Sequence, residues 1–242
     1  MHAYNDKGQQ YHVTLSVGDV GRYVILPGDP GRVAVIAAFL DNAVKVASNR
    51  EYVTYTGTLD GEKVSVTSTG IGGPSAAIAV EELIAVGADT FIRVGTAGMI
   101  QDCFEPDDCI IAAGSVRDEG TSCQYIPLAY PAIAHHQVVE ALEKAANIRG
   151  KRFHTGIVQS KDAFYGEAEP ETMPGEELLK SRWKAWKRGG VLASEMEAAA
   201  IFVVSSIRNA RAGCILNNRG DMKEVAAIAV EAVRQLIRED AL

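Results

Sequence analysis

Long apolar runs are missing. No stretch of the 242 residues approaches the roughly 18 unbroken apolar positions of a membrane-spanning helix. Residues 1–10 are polar, without the apolar core of a secretory leader. Cysteine is scarce: Cys103, Cys109, Cys123 and Cys214 form no CxxC pair and no zinc-ligand spacing. The expectation is four free, buried thiols in a reducing cytoplasm. Positive charge is in deficit, 24 Lys and Arg against 31 Asp and Glu for a net charge of −7. That argues against non-specific attachment to nucleic acid or an anionic membrane, so any bound anion needs locally placed arginines. Internal repeats, low-complexity tracts and linkers rich in Pro, Gly or Ser are absent too, and one domain over residues 1–242 is expected.

What is present is an ordinary globular composition, 47% hydrophobic and 23% charged. Apolar runs alternate with helix-period segments, which predicts an α/β fold with a central mixed β-sheet flanked by helices. Strands are expected at residues 23–26, 52–59, 64–68, 90–94, 109–113, 154–158 and 211–216. Helices are expected at 33–40, 76–86, 138–146, 176–187, 194–208 and 222–238. Asp60-Gly61 is a two-residue hairpin signal, and Gly87 stops the helix before it. Segment 165–175, with two prolines, reads as a surface loop.

The most informative stretch is Arg93-Val94-Gly95-Thr96-Ala97-Gly98, directly after an apolar run. A strand that ends in arginine and enters a glycine-rich turn is suited to an anion. Backbone N–H groups come close, the Thr96 hydroxyl adds a donor, and Arg93 adds fixed charge. The design recurs in Gly28-Asp29-Pro30-Gly31-Arg32 and in Gly70-Ile71-Gly72-Gly73-Pro74-Ser75, each behind its own apolar run. Arg32 and Arg93 are therefore candidate phosphate ligands. Arg50, in Ser48-Asn49-Arg50-Glu51, is either a third ligand or a surface ion-pair partner.

Three other constellations stay open on spacing alone. Ser194 and Glu197 form an S-x-x-E capping box before an apolar helix, yet a carboxylate such as Glu195 in that first turn can also hold a sugar diol. His12 stands alone near the N-terminus, and His135-His136 precedes a helix with no third metal ligand nearby. Phe164 and Tyr165 either pack the core or wall a flat ring.

Taken together and in order, these motifs resemble the nucleoside phosphorylase family, on its uridine-cleaving branch. The matching stretches are Pro27-Gly28-Asp29-Pro30 with Arg32, Ser48-Asn49-Arg50-Glu51, Ser68 to Ser75, Arg93 to Thr96, and Glu195-Met196-Glu197. The resemblance implies phosphorolysis, in which a nucleoside and phosphate give a free base and ribose 1-phosphate, with phosphate as co-substrate and no required cofactor. It implies that Gly28, Arg32, Arg93 and Thr96 hold phosphate, with Arg50 from a neighbouring subunit. Arg93 and Glu197 would be the catalytic pair. Glu197 would take the ribose hydroxyls, Met196 would pack on the sugar, and a partner's His12 would meet the 5′-hydroxyl. Phe164, Glu167 and Arg219 would face the base. Glu51, Ile71 and Ser75 match the family's potassium site at a dimer interface, and such dimers assemble into hexamers.

Two departures accompany the resemblance. The family's uridine enzymes read the uracil edge with a glutamine and then an arginine; here Glu167 occupies the glutamine's place and no arginine follows before Arg182. An ionised carboxylate accepts hydrogen bonds but donates none. The connection from residue 214 into the final helix is also shorter than the family's. Uridine is the expected substrate. A purine nucleoside, favoured if Glu167 or Asp221 reaches a purine ring, and a non-catalytic nucleoside-binding relative are the alternatives.

Overall fold

The first apolar run becomes β1 (Tyr23–Pro27), and its alternation sets up the whole molecule. Val24 and Leu26 enter one core and Tyr23 and Ile25 the other, as strand side chains must when both sheet faces are covered. The structure, a computed structural model, describes residues 4–218 and 222–242.

After β1 a single 3-10 turn (Pro30–Arg32) leads into α1 (Val33–Ala37). Then come β2 (Asp41–Asn49), β3 (Tyr52–Leu59), β4 (Glu62–Thr67) and α2 (Gly73–Ala85). β5 (Thr90–Thr96), β6 (Gly98–Met99), β7 (Cys109–Asp118), α3 (Ser122–Tyr125), β8 (Ala132–Ile133) and α4 (His136–Ile148) follow. β9 (Phe153–Lys161), α5 (Phe164–Ala168), α6 (Glu176–Arg188), β10 (Ala193–Glu195), α7 (Ala198–Ile207), β11 (Arg211–Asn217) and α8 (Met222–Asp240) complete the chain.

The strands form one mixed sheet in the order β2-β3-β4-β1-β5-β11-β7-β9-β10-β6, with β8 beside β7. β1 runs parallel to β4 and β5, β11 parallel to β5, and β9 parallel to both β7 and β10. Helices α2 and α7 cover one face, with Phe91 and Leu216 beneath them, and α1, α4 and α8 cover the other, with Ile92 and Ile215. The mixed, helix-flanked sheet is the architecture expected. Asp60 (φ 50°) and Gly61 (φ 88°) make the β3–β4 hairpin turn, the primed type that this dipeptide favours. Among the described residues no helix is long and apolar enough to cross a membrane.

Several local expectations fail for identifiable reasons. Gly95 and Thr96, expected to turn after a strand ending at Val94, continue it instead, because β5 stays paired with β11 through Thr96. The expected 194–208 helix is two elements: Ser194 and Glu195 lie in β10, and α7 opens at Ala198. The capping box is not formed, since Glu197 stands at the N-cap without capping through its side chain. The Glu195 carboxylate caps instead, accepting from the backbone N–H groups of Glu197 (2.9 Å) and Ala198 (3.0 Å). The expected 165–175 loop holds α5 and a 3-10 turn (Pro170–Thr172). β2, at the sheet edge, is largely exposed and its apolar residues come no more than two together, so it shows no apolar run. Of the four free thiols, Cys109 and Cys214 are buried but Cys103 and Cys123 are exposed.

Candidate active site

β5 carries Arg93 into the face covered by α2 and α7, where it is only 4% exposed. Its Nε donates to Glu195 Oε2 at 2.8 Å, and its Nη2 bonds Glu197. Both carboxylates are buried with it. Such a cluster survives only because each charge is paired and hydrogen-bonded. Burial opposes the arginine's charge, but the carboxylates of Glu197 and Glu195 outweigh it and hold the guanidinium above its ordinary pKa. Burial pushes the Glu197 carboxyl up; Arg93 pulls it down and Glu195 adds to the rise.

Gly95 makes room for this arrangement. A Cβ at that position would lie 2.9 Å from Arg93 Nη2 and 3.1 Å from Leu216 Cδ2, closer than packed atoms sit. Ser160, at the end of β9, braces the far side: its hydroxyl bonds Glu195 and accepts from the Ala199 N–H at 2.8 Å.

The other glycine-rich segments converge on the same cluster. Gly70 N–H donates to Gly28 O at 3.0 Å, joining the turn after β1 to the turn after β4. Gly72, at φ +93°, directs its N–H to Glu197 Oε1 at 2.6 Å. Gly70 thus ties to Gly28, and Gly72 to the Arg93–Glu197 cluster. Arg32 ends the 3-10 turn beside Asp29, with 3.9 Å between Nε and Oδ2, and Thr96 is the exposed last residue of β5. Met196 is half-buried between Glu195 and Glu197.

A second group gathers apart from the Arg93 network. Glu82, on α2, accepts from the backbone N–H of His12 (2.9 Å) and of Val13 (2.8 Å) and pairs with His12 Nδ1 at 2.6 Å. Asn49 Nδ2 donates to His12 O at 2.8 Å. Arg50, at φ 52°, extends its guanidinium to 5.8 Å from the Tyr11 ring centroid. Neither His12 nor Arg50 bonds the Arg93 cluster of its own chain. Glu51, Ile71 and Ser75 meet around Gly70: Ser75 Oγ donates to Ile71 O at 3.1 Å, and a Cβ on Gly70 would lie 2.8 Å from Glu51 Cγ.

The third group follows β9. Phe164 and Tyr165 are 56% and 62% exposed and touch edge-to-face, which removes the core-packing reading. Glu167 is held by two groups: Lys161 Nζ at 2.6 Å and Ser194 Oγ at 2.7 Å. Arg219 and Asp221 lie outside the described residues. Sequence reasoning missed Lys161, Ser160 and Glu82. Each is recruited across the fold from another element, and no local pattern marks it.

The arrangement offers a guanidinium, backbone N–H groups from glycine turns, a buried carboxylate and an exposed aromatic wall. Together these suit an anion, a diol and a flat ring. A family model described as the phosphorylase superfamily matches residues 22–239. A uridine phosphorylase of Treponema pallidum is 48% identical over 246 residues, covering 96% of this chain and 95% of its own. One from Thermococcus kodakarensis is 45% identical, covering 97% and 89%. A guanosine phosphorylase of Halorubrum lacusprofundi is 40% identical, covering 88% and 84%. Fold, converging turns and matched length agree: the chain belongs to the phosphorylase superfamily.

Proposed function

We propose that the protein is a uridine phosphorylase, converting uridine and phosphate into uracil and ribose 1-phosphate. The observation that carries this reading is the meeting of three glycine-rich segments at Arg93 and Glu197, through Gly70 N–H to Gly28 O and Gly72 N–H to Glu197. The uridine phosphorylases matched over nearly the full chain support it.

Phosphate lies against Gly28, Arg32, Arg93 and Thr96, with Arg50 supplied by a neighbouring copy. Arg93 has five N–H donors, of which its bonds to the two glutamates engage two. Glu197 takes the ribose 2′- and 3′-hydroxyls and Met196 packs on the sugar, while the partner's His12 meets the 5′-hydroxyl. Phe164 stacks near the base. As the glycosidic bond stretches, positive charge grows on the sugar, and the anionic nucleophile beneath it stabilises that charge. The arginines hold the nucleophile in line, so rate comes from positioning and preorganised charge.

His12 and Arg50 contact Tyr11 and Asn49, and neither bonds its own Arg93. This supports a dimer as the site-forming unit, and we propose that such dimers assemble further into a hexamer. The oxygens of Glu51, Ile71 and Ser75 form a hard donor set that fits a potassium ion. Bound there, it would supply charge to bridge two copies.

The test is ultraviolet-monitored cleavage of uridine and inosine, each with and without phosphate. Loss of uridine only when phosphate is present is the expected outcome. Cleavage of inosine would move the enzyme to purines, and no turnover of either would leave a binding protein.

A further inference from the structure

A carboxylate at position 167 gives a departing base no donor, yet the fold sets one beside it. Lys161 closes β9, and its ammonium donates to Glu167 Oε2 and to Ser194 Oγ, each at 2.6 Å. The same Nζ stands 5.7 Å from the centroid of the exposed Phe164 ring. Ser160 and Glu195, the chain neighbours of Lys161 and Ser194, belong to the Arg93 network. The backbone at Lys161 and at Ser194 therefore adjoins the cluster proposed to hold sugar and phosphate, with their side chains leaving the opposite face of the strands. Lys161 and Glu167 side chains are only 11% and 17% exposed. Asp118, in register with Lys161 on β7, bonds Arg182 and Gln159.

We infer that Lys161 and Glu167 are together the base-reading pair of this enzyme, an inference that rests on the uridine phosphorolysis proposed above. Glu167 accepts from the N3–H of the base, and Lys161 donates to the adjoining carbonyl oxygen. A carboxylate beside an ammonium matches an N–H beside a C=O. Uracil presents that edge; cytosine, with a bare N3 beside an amino group, presents its opposite. An ammonium has three donors and two are engaged, so the third serves the base.

In the reaction, an oxygen of hydrogen phosphate bonds to C1′ and the C1′–N1 bond breaks. Its electron pair passes into the pyrimidine ring and onto the carbonyl oxygens. Lys161 hydrogen-bonds that growing charge and keeps its own proton. The proton of hydrogen phosphate finishes on uracil through solvent, so products balance substrates. Because Lys161 neutralises Glu167, the emerging anion does not meet a bare carboxylate. Its stabilisation inside a half-closed site is of the oxyanion-hole kind.

The test compares wild type, Lys161→Met and Lys161→Arg on uridine and on 5-fluorouridine, whose base carries negative charge more readily, at saturating phosphate. Lys161→Met should lower kcat for uridine by about 10²-fold and by clearly less for 5-fluorouridine, with Lys161→Arg recovering part of the loss. The ratio between substrates is measured on one preparation, so a misfolded fraction cancels. Equal losses on both substrates, or wild-type kcat in Lys161→Met, would overturn the inference while uridine phosphorolysis stands. A wild-type enzyme that releases no uracil with phosphate would overturn both.

Discussion

Arg93 and Glu195 meet at 2.8 Å through Nε and Oε2, and both side chains are almost wholly sealed from water. The same carboxylate caps α7 through the N–H groups of Glu197 and Ala198. One glutamate therefore orients the candidate phosphate ligand and starts the helix that follows Glu197. Fold stability and site geometry share that group.

Removing Arg93 should then cost more than activity. Arg93→Ala leaves two buried carboxylates facing each other, with an expected loss of about 3–5 kcal/mol in urea unfolding. Arg93→Lys keeps the charge but loses the fork, and should lower kcat/KM for phosphate by roughly 10²–10³-fold while retaining most of the stability. A fully active Arg93→Lys enzyme would detach Arg93 from phosphate.

Gly95→Ala probes the same guanidinium without touching its charge. The added methyl would press on Arg93 Nη2 and Leu216, and a side chain held by two carboxylates cannot simply swing aside. The expected cost is about 1–3 kcal/mol, together with a raised KM for phosphate in steady-state assays. Unchanged stability and KM would mean that Arg93 has freedom its ion pairs do not suggest.

The raised carboxyl pKa of Glu197 makes a statement about stability and pH. A group that binds its proton more tightly when folded contributes stability below its unfolded pKa and loses it as pH rises through the folded value. Glu197→Gln lacks that term. The stability of wild type relative to Glu197→Gln should fall as pH climbs above the ordinary glutamate range, measured by denaturant midpoints. A difference that grows with pH would reverse the assignment.

Glu82 is expected to act at a distance. Three of its bonds tie down His12 and Val13, so Glu82→Ala frees this N-terminal segment from α2. Amide exchange should accelerate at residues 12–13, and KM for uridine should rise more than kcat falls if His12 serves a neighbouring copy's ribose. Faster exchange with unaltered kinetics would confine His12 to a structural role.

What was legible in the chain was what is local. The primed turn at Asp60-Gly61, the helix stop at Gly87 and the alternation of β1 are each determined within a few residues. Arg93 and Gly28 could be singled out because glycine-rich motifs flag them, and Glu197 because of its S-x-x-E spacing and the Glu-Met-Glu match. Glu195 was only half seen, because S-x-x-E spacing favours Ser194 and Glu197 as the cap, and only the pairing of β10 with β9 draws Glu195 into that role. Lys161 carried no signal at all. Its partners Glu167 and Ser194 come from α5 and β10, and the Ser194 contact does not exist until β9 and β10 lie side by side.

The bond from Gly70 N–H to Gly28 O joins two stretches of main chain, not two side chains. Half of the proposed anion cradle is thus written in backbone path. Replacing functional groups one at a time would pass over it, leaving a residue-by-residue map with a blank where main chain holds main chain. Insertions, deletions or bulkier residues at the glycines themselves are the perturbations that would bring it into view.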